Sequence, residues 1–185
     1  MRLRLKRASM PPALRAALAP GEEVTAAVPA DSGLSLAASR FGLWIVSGDD
    51  AERIDWHVVS KARLAEGALH LTIADEVATW ADSTVLLRDR EPRTFRPEHA
   101  TRLTDVVHRR VRASVAASRH MDWPGAGCWV VLRRIAGLDG LTVQVRLDHG
   151  TDPALAGFAE AVSAVVDQMW PEQVPRHADR TDLDE

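Results

Sequence analysis

Tyrosine is absent from this chain of 185 residues, cysteine occurs once, as Cys128, and lysine occurs only as Lys6 and Lys61. One cysteine excludes an intramolecular disulfide and fits a reducing cytoplasm, which is the expected location. No stretch approaches the roughly 18–20 apolar residues that a membrane helix needs, so no transmembrane segment is expected. Basic residues crowd the start of the chain without an apolar run behind them, which argues against a secretory signal. No internal repeat recurs at a solenoid period.

Chemical signatures are equally sparse. The seven histidines and Cys128 never fall at C-x-x-C or H-x-x-x-H spacing, so no structural zinc site is expected. There is no G-x-x-x-x-G-K-[ST] loop and no G-x-S-x-G elbow. Gly125 and Gly127 give a G-x-G, but Val130 occupies the third glycine position and the segment leads into a strand. It reads as a hairpin turn, with no helix end to receive phosphate. Cys128, between Gly127 and Trp129, reads as a small apolar residue of a strand rather than a reactive thiolate. The pairs Glu22-Glu23 and Asp49-Asp50 lie in turns, where carboxylates are usually solvated. On an alternating strand Trp56 and His57 point to opposite faces, Trp56 inward and His57 outward. No catalytic residue, cofactor or metal is therefore expected, and an enzyme ranks below a binding protein.

What is present is a globular composition. Hydrophobic residues make up 46% and charged residues 26%, with a formal net charge of −3. These values exclude a disordered body and argue against a strongly basic nucleic-acid binder. Nearly all the cations are arginine, which with abundant Ala, Val and Asp suggests a GC-rich bacterial genome. Charge is uneven along the chain: Arg2, Arg4, Lys6 and Arg7 open it, and Asp179, Asp182, Asp184 and Glu185 close it.

The periodicities predict an α+β chain. A short helix starts at Pro11-Pro12 and ends by Pro20-Gly21. Strands follow every ~8–12 residues with turn signals between them, the pattern of a small barrel or sandwich. In "RIDWHVVSKARLAEGALHLTI", residues 53–73, alternation breaks at Ala65-Glu66-Gly67 and resumes, with Leu69, Leu71 and Ile73 on one face. Over 101–118, Leu103, Val107, Val111 and Val115 recur every four residues, with Val106 beside them, as the apolar stripe of a helix. A hairpin follows, residues 128–135 with 141–147. Asp152 and Pro153 then look like the cap and first turn of a last helix. Residues 1–20 thus form a basic segment and short helix, 21–119 a barrel with its helix, 120–170 a ββα extension, and 171–185 a polar acidic tail expected to be disordered. The six tryptophans divide: Trp44 and Trp56 belong to the core, and Trp123 and Trp170 pack the extension onto the barrel, each burying on the order of 200 Å².

These strands and the single following helix resemble bacterial pleckstrin-homology-like (PH-like) domains. More narrowly, "LAPGEEVTAAVPA", "RIDWHVVSKARL", "VVHRRVRASVAASRHM" and "VVLRRIAGLDGLTVQVRLDHGTDP", in order across 18–168, resemble an uncharacterised actinobacterial protein family. The resemblance implies a bent barrel of about seven strands capped by an amphipathic helix. It implies no activity. It transfers no lipid site, because the turn at Asp31 is small and acidic.

One charge pattern remains as a candidate interaction surface. Arg102, Arg109, Arg112 and Arg119 lie seven, three and seven residues apart, on the helix face opposite the apolar stripe. A solvated outer face is the commoner meaning of such a run. The functional reading is a surface for carboxylate or phosphate, which arginine's planar fork can grip in pairs. A further possibility is that the acidic tail folds over it. The expectation is a non-catalytic protein-interaction module, with a protein partner ahead of nucleic acid or an anionic membrane surface.

Overall fold

A computed structural model describes residues 10–98 and 101–171. The basic segment 1–9 and the acidic tail 172–185 lie outside the described residues, so the expectations for them are not addressed. Helix α1 (Pro12–Ala17) leads into β1 (Val24–Pro29), β2 (Leu34–Ser39), β3 (Gly42–Ser47) and β4 (Asp50–Asp55), a four-stranded antiparallel meander. A 3-10 turn, Trp56–Val58, carries the chain into β5 (Val59–Ala65) and the long β6 (Ala68–Thr79). Then come β7 (Val85–Asp89), β8 (Arg93–Phe95), α2 (Thr101–Ser114), β9 (Val115–Trp123), β10 (Ala126–Arg133), β11 (Thr142–Leu147) and α3 (Phe158–Met169). The architecture is α+β and mostly strand. The second sheet runs β5-β6-β7-β11-β10-β9, curls into a half-barrel, and also pairs β8 to β6. Among the described residues no helix is long and apolar enough to cross a membrane.

There are two main cores, and β6 runs from the first toward the second. Its twelve residues reach about 40 Å at ~3.3 Å per residue. Its first half places Leu69, Leu71 and Ile73 in a core with β1–β5, β8 and α2. Its second half pairs with β7, which joins β9–β11 under α3. The seam expected on the central helix is the one that packs: Leu103, Val106, Val107 and Val111 are buried against Leu36, Leu43, Ile54 and Leu71. In the second core Phe158, Val162 and Val166 of α3 cover Cys128, Val130, Val145 and Leu147. Helix α1 covers Trp44 on the outer face of the meander through Leu14.

Four expectations need correction. The central helix stops at Ser114 rather than 118, because Val115 is already paired with Arg133 across β9–β10. The run 53–63 is not one strand. It bends at Trp56–Val58, where Trp56 donates its backbone N–H to the carbonyl of Phe41 (3.2 Å) and its indole N–H to that of Ser39 (3.1 Å). Trp56 is buried as expected, but His57 is half-buried rather than outward. Asp152 caps only a turn, accepting from the Ala154 amide at 2.9 Å. Helix α3 begins five residues beyond Pro153 at Phe158, behind Gly157 at φ +75°, a conformation glycine adopts without a Cβ penalty.

If α2 is seated by its apolar seam, Leu103→Ala costs ~2–5 kcal/mol, whereas Arg109→Ala costs at most ~0.5 kcal/mol. Urea denaturation of both variants checks this; equal effects would sink the assigned orientation.

Candidate functional site

The face of β9–β11 turned away from α3 is polar, and the alternation of the strands dictates it. In register, His120 lies opposite Trp129 and Trp129 opposite Arg146; one step along, Ser118 faces Val131 and Val131 faces Gln144; further on, Arg133 faces Thr142. An exposed sheet face would leave these side chains in water. Here the curl of the sheet brings them up against β5 and β6, and Arg133, Gln144 and Arg146 are buried at 2%, 2% and 7% exposure. A cleft of about 1050 Å³ opens over this face. Ser60, Lys61 and Thr72 form one wall, Arg133, Arg146 and Trp129 the floor, and residues 148–153 the far rim.

Both buried arginines reach across the cleft's base to the turn between the two sheets. Arg133 donates from Nη1 to the Ser114 hydroxyl (2.5 Å) and from Nη2 to the Val59 carbonyl (3.0 Å). Arg146 donates from Nη1 to Asp89 (3.2 Å) and from Nη2 to the His57 carbonyl (3.2 Å). A guanidinium carries five N–H donors, so each retains three beyond these bonds. The Nε of each, and the side-chain oxygen of Gln144, are buried with no hydrogen-bond partner among the described residues. One carboxylate, Asp89, serves two guanidiniums, and Arg133 has no ion-pair partner among the described residues. Burial, then the neighbouring Arg146 charge, pushes the Arg133 guanidinium down to about 9; burial lowers that of Arg146 as well. Burial likewise lowers the His57 imidazole.

The rim is built separately. Thr151 is buried, its hydroxyl donating to the Gly127 carbonyl (2.9 Å) and accepting from the Gly127 N–H (3.0 Å). Arg88 donates to the Thr151 carbonyl (3.1 Å). A Cβ at Gly127 would meet the Asp148 carboxylate, which would have to swing aside. Asp148 is engaged by His120 at 2.8 Å. The acids of the rim are thus committed to protein partners, while Lys61, Arg133 and Arg146 face the cleft.

The arginines singled out by spacing lie elsewhere. Arg102, Arg109 and Arg112 are exposed on α2, and none makes an ion pair among the described residues. Arg119 does not share their helix. It is exposed on β9 and donates to Gln168 of α3 at 2.6 Å. Cys128 is buried on the opposite face of the sheet, and burial with the Asp148 charge raises its thiol to about 12, too high for a nucleophile at neutral pH. Among the described residues no three His, Cys, Asp or Glu side chains group as metal ligands. No protein-family model, curated protein or solved structure matches this chain.

Glu22, expected to be solvated in its turn, is instead buried. It accepts from the Ser39 hydroxyl (2.5 Å), the Trp44 indole N–H (2.9 Å) and the Ala19 amide (3.1 Å), with Arg53 at 3.6 Å. Burial alone would raise its carboxyl; these donors outweigh it and hold the carboxyl below 4.5. Its stabilisation is therefore present above 4.5 and lost as pH falls through the folded value. Glu22→Gln is expected to lose ~1–3 kcal/mol at neutral pH, with the gap to wild type narrowing in acid. Paired denaturation curves at neutral and acid pH test this; a gap that widens in acid contradicts it.

Proposed function

We propose that this chain is a non-catalytic binding module, built on a PH-like barrel, that takes an anionic ligand in the cleft over Arg133 and Arg146. The barrel part of the reading is supported by the shared core of β1–β6, β8 and α2: a four-stranded meander, a second short-stranded layer, and an amphipathic helix closing them. A helix closing two strand layers is the part of the PH-like expectation that supports this reading. The ligand part rests on one observation: Arg133 is a buried cation without its own carboxylate, on the floor of an open cleft. A buried charge is costly unless it is paired. An anion in the cleft would supply the missing charge. The groups at the floor are donors already fixed to backbone carbonyls, suited to holding and orienting a ligand. This keeps the binding role expected from sequence but moves the ligand from the α2 face into the cleft.

A ligand at 100 times its dissociation constant stabilises a protein by ~2.7 kcal/mol, a rise in Tm of roughly 5–10 °C at this size. Pyrophosphate is expected to produce such a rise over sodium chloride of equal ionic strength, and Arg133→Met to remove it. The wild type supplies a second readout. The anion binds the protonated guanidinium, so the effect should persist at neutral pH and decline as pH rises past about 9. An anion effect matched by chloride, or one unchanged by Arg133→Met, would overturn the reading.

A second reading is favoured by the three exposed guanidiniums of α2, which make no ion pair among the described residues. In it, Arg102, Arg109 and Arg112 bind a polyanion, nucleic acid or an anionic lipid surface, with affinity falling steeply in salt. Retention on heparin at low salt should fall in an Arg109→Glu, Arg112→Glu double variant; unchanged retention rules this surface out.

A further inference from the structure

Trp129 is the feature of the cleft that an anion alone leaves unexplained. It sits mid-strand in β10, yet its side chain is among the few large apolar ones left exposed, at 46%. Across β9 lies His120, whose ring meets the indole edge-on, centroids 5.2 Å apart at 65°. His120 is itself held between Asp148 (2.8 Å) and Asp122 (3.4 Å). Across β11 lies Arg146, directly opposite Trp129 in the register. The row His120–Trp129–Arg146 therefore sets a half-exposed aromatic ring beside a buried cation.

From this juxtaposition, and resting on the anion reading above, we propose that the cleft binds a mononucleotide-class ligand: a phosphate joined to a flat heteroaromatic ring. The phosphate lies over Arg133 and Arg146, where guanidinium donors remain unused and the local charge favours a dianion. The ring lies against Trp129, since every base presents a π-face to an aromatic side chain. The size agrees: a cleft of about 1050 Å³ lies just above the ~300–1,000 Å³ usual for small-ligand sites, with room for a nucleotide and its water.

The ring and the phosphate are separable in titration calorimetry of the full chain. The probes are AMP, GMP, CMP, UMP, ribose 5-phosphate and inorganic pyrophosphate. At least one nucleotide should bind tenfold or more tightly than ribose 5-phosphate, a stacking gain of the usual ~1–3 kcal/mol per base. Trp129→Ala should remove that tenfold and leave ribose 5-phosphate unchanged; Trp129 is exposed, so the variant is expected to fold, and Trp129→Phe should retain part of the gain. If ribose 5-phosphate and all four nucleotides bind equally, the ring assignment fails and the anion reading stands. If no probe binds, pyrophosphate included, both fail.

Discussion

The two halves of this molecule are joined by two guanidiniums that cross from the inner face of β10 and β11 to the carbonyls of Val59 and His57. Those carbonyls belong to the corner where the chain leaves the first sheet for the second. A corner leaves backbone acceptors without strand partners, and buried acceptors must be satisfied. Arg133 and Arg146 satisfy two of them. Without that bridge, the concave face of β9–β11 would be an ordinary wet sheet surface. With it, the face becomes the floor of a cleft.

The bridge carries an electrostatic imbalance with it. Replacing buried ion pairs by well-packed apolar residues is often neutral or stabilising, so two arginines here are not explained by stability alone. Asp89 offsets one charge, and hydroxyl and carbonyl dipoles soften the other without cancelling it. A binding site supplies the compensation when its ligand is present. On the proposed reading, the free protein carries the desolvation cost as part of what would make the site selective for anions over neutral molecules of similar shape.

How much of this was legible in the residues depended on whether the deciding contacts were local. The α2 seam at Leu103, Val106, Val107 and Val111 was readable because a helix sets its own period and its packing follows. Its end was misplaced because Ala116, Ala117 and Ser118 sit as well on a helix; pairing with β10, distant in sequence logic, made them strand. The turn at Trp56 was hidden inside a smooth alternation, since nothing local announces that the chain must change sheets there. Arg133 and Arg146 are polar members of alternating strands, with Val143, Val145 and Leu147 on the other face of β11. Their burial was not visible, because it arises from the curl that folds β5 over them. Glu22 followed the same logic: a turn carboxylate by sequence, it became the acceptor for Ser39 and Trp44 only once β2 and β3 had folded around it.

The same distinction orders the two arginine surfaces. The α2 arginines attracted notice because their spacing is regular, yet a regular spacing on a helix is what any solvated face shows, and long side chains in water contribute little by themselves. Arg133 and Arg146 have no telling spacing. Their claim to function comes from low exposure, incomplete hydrogen bonding and a shared carboxylate, properties that selection for stability alone would tend to remove. A charge that is expensive to bury carries more information than one that costs nothing, and on the proposed reading that ranks the cleft ahead of the helix.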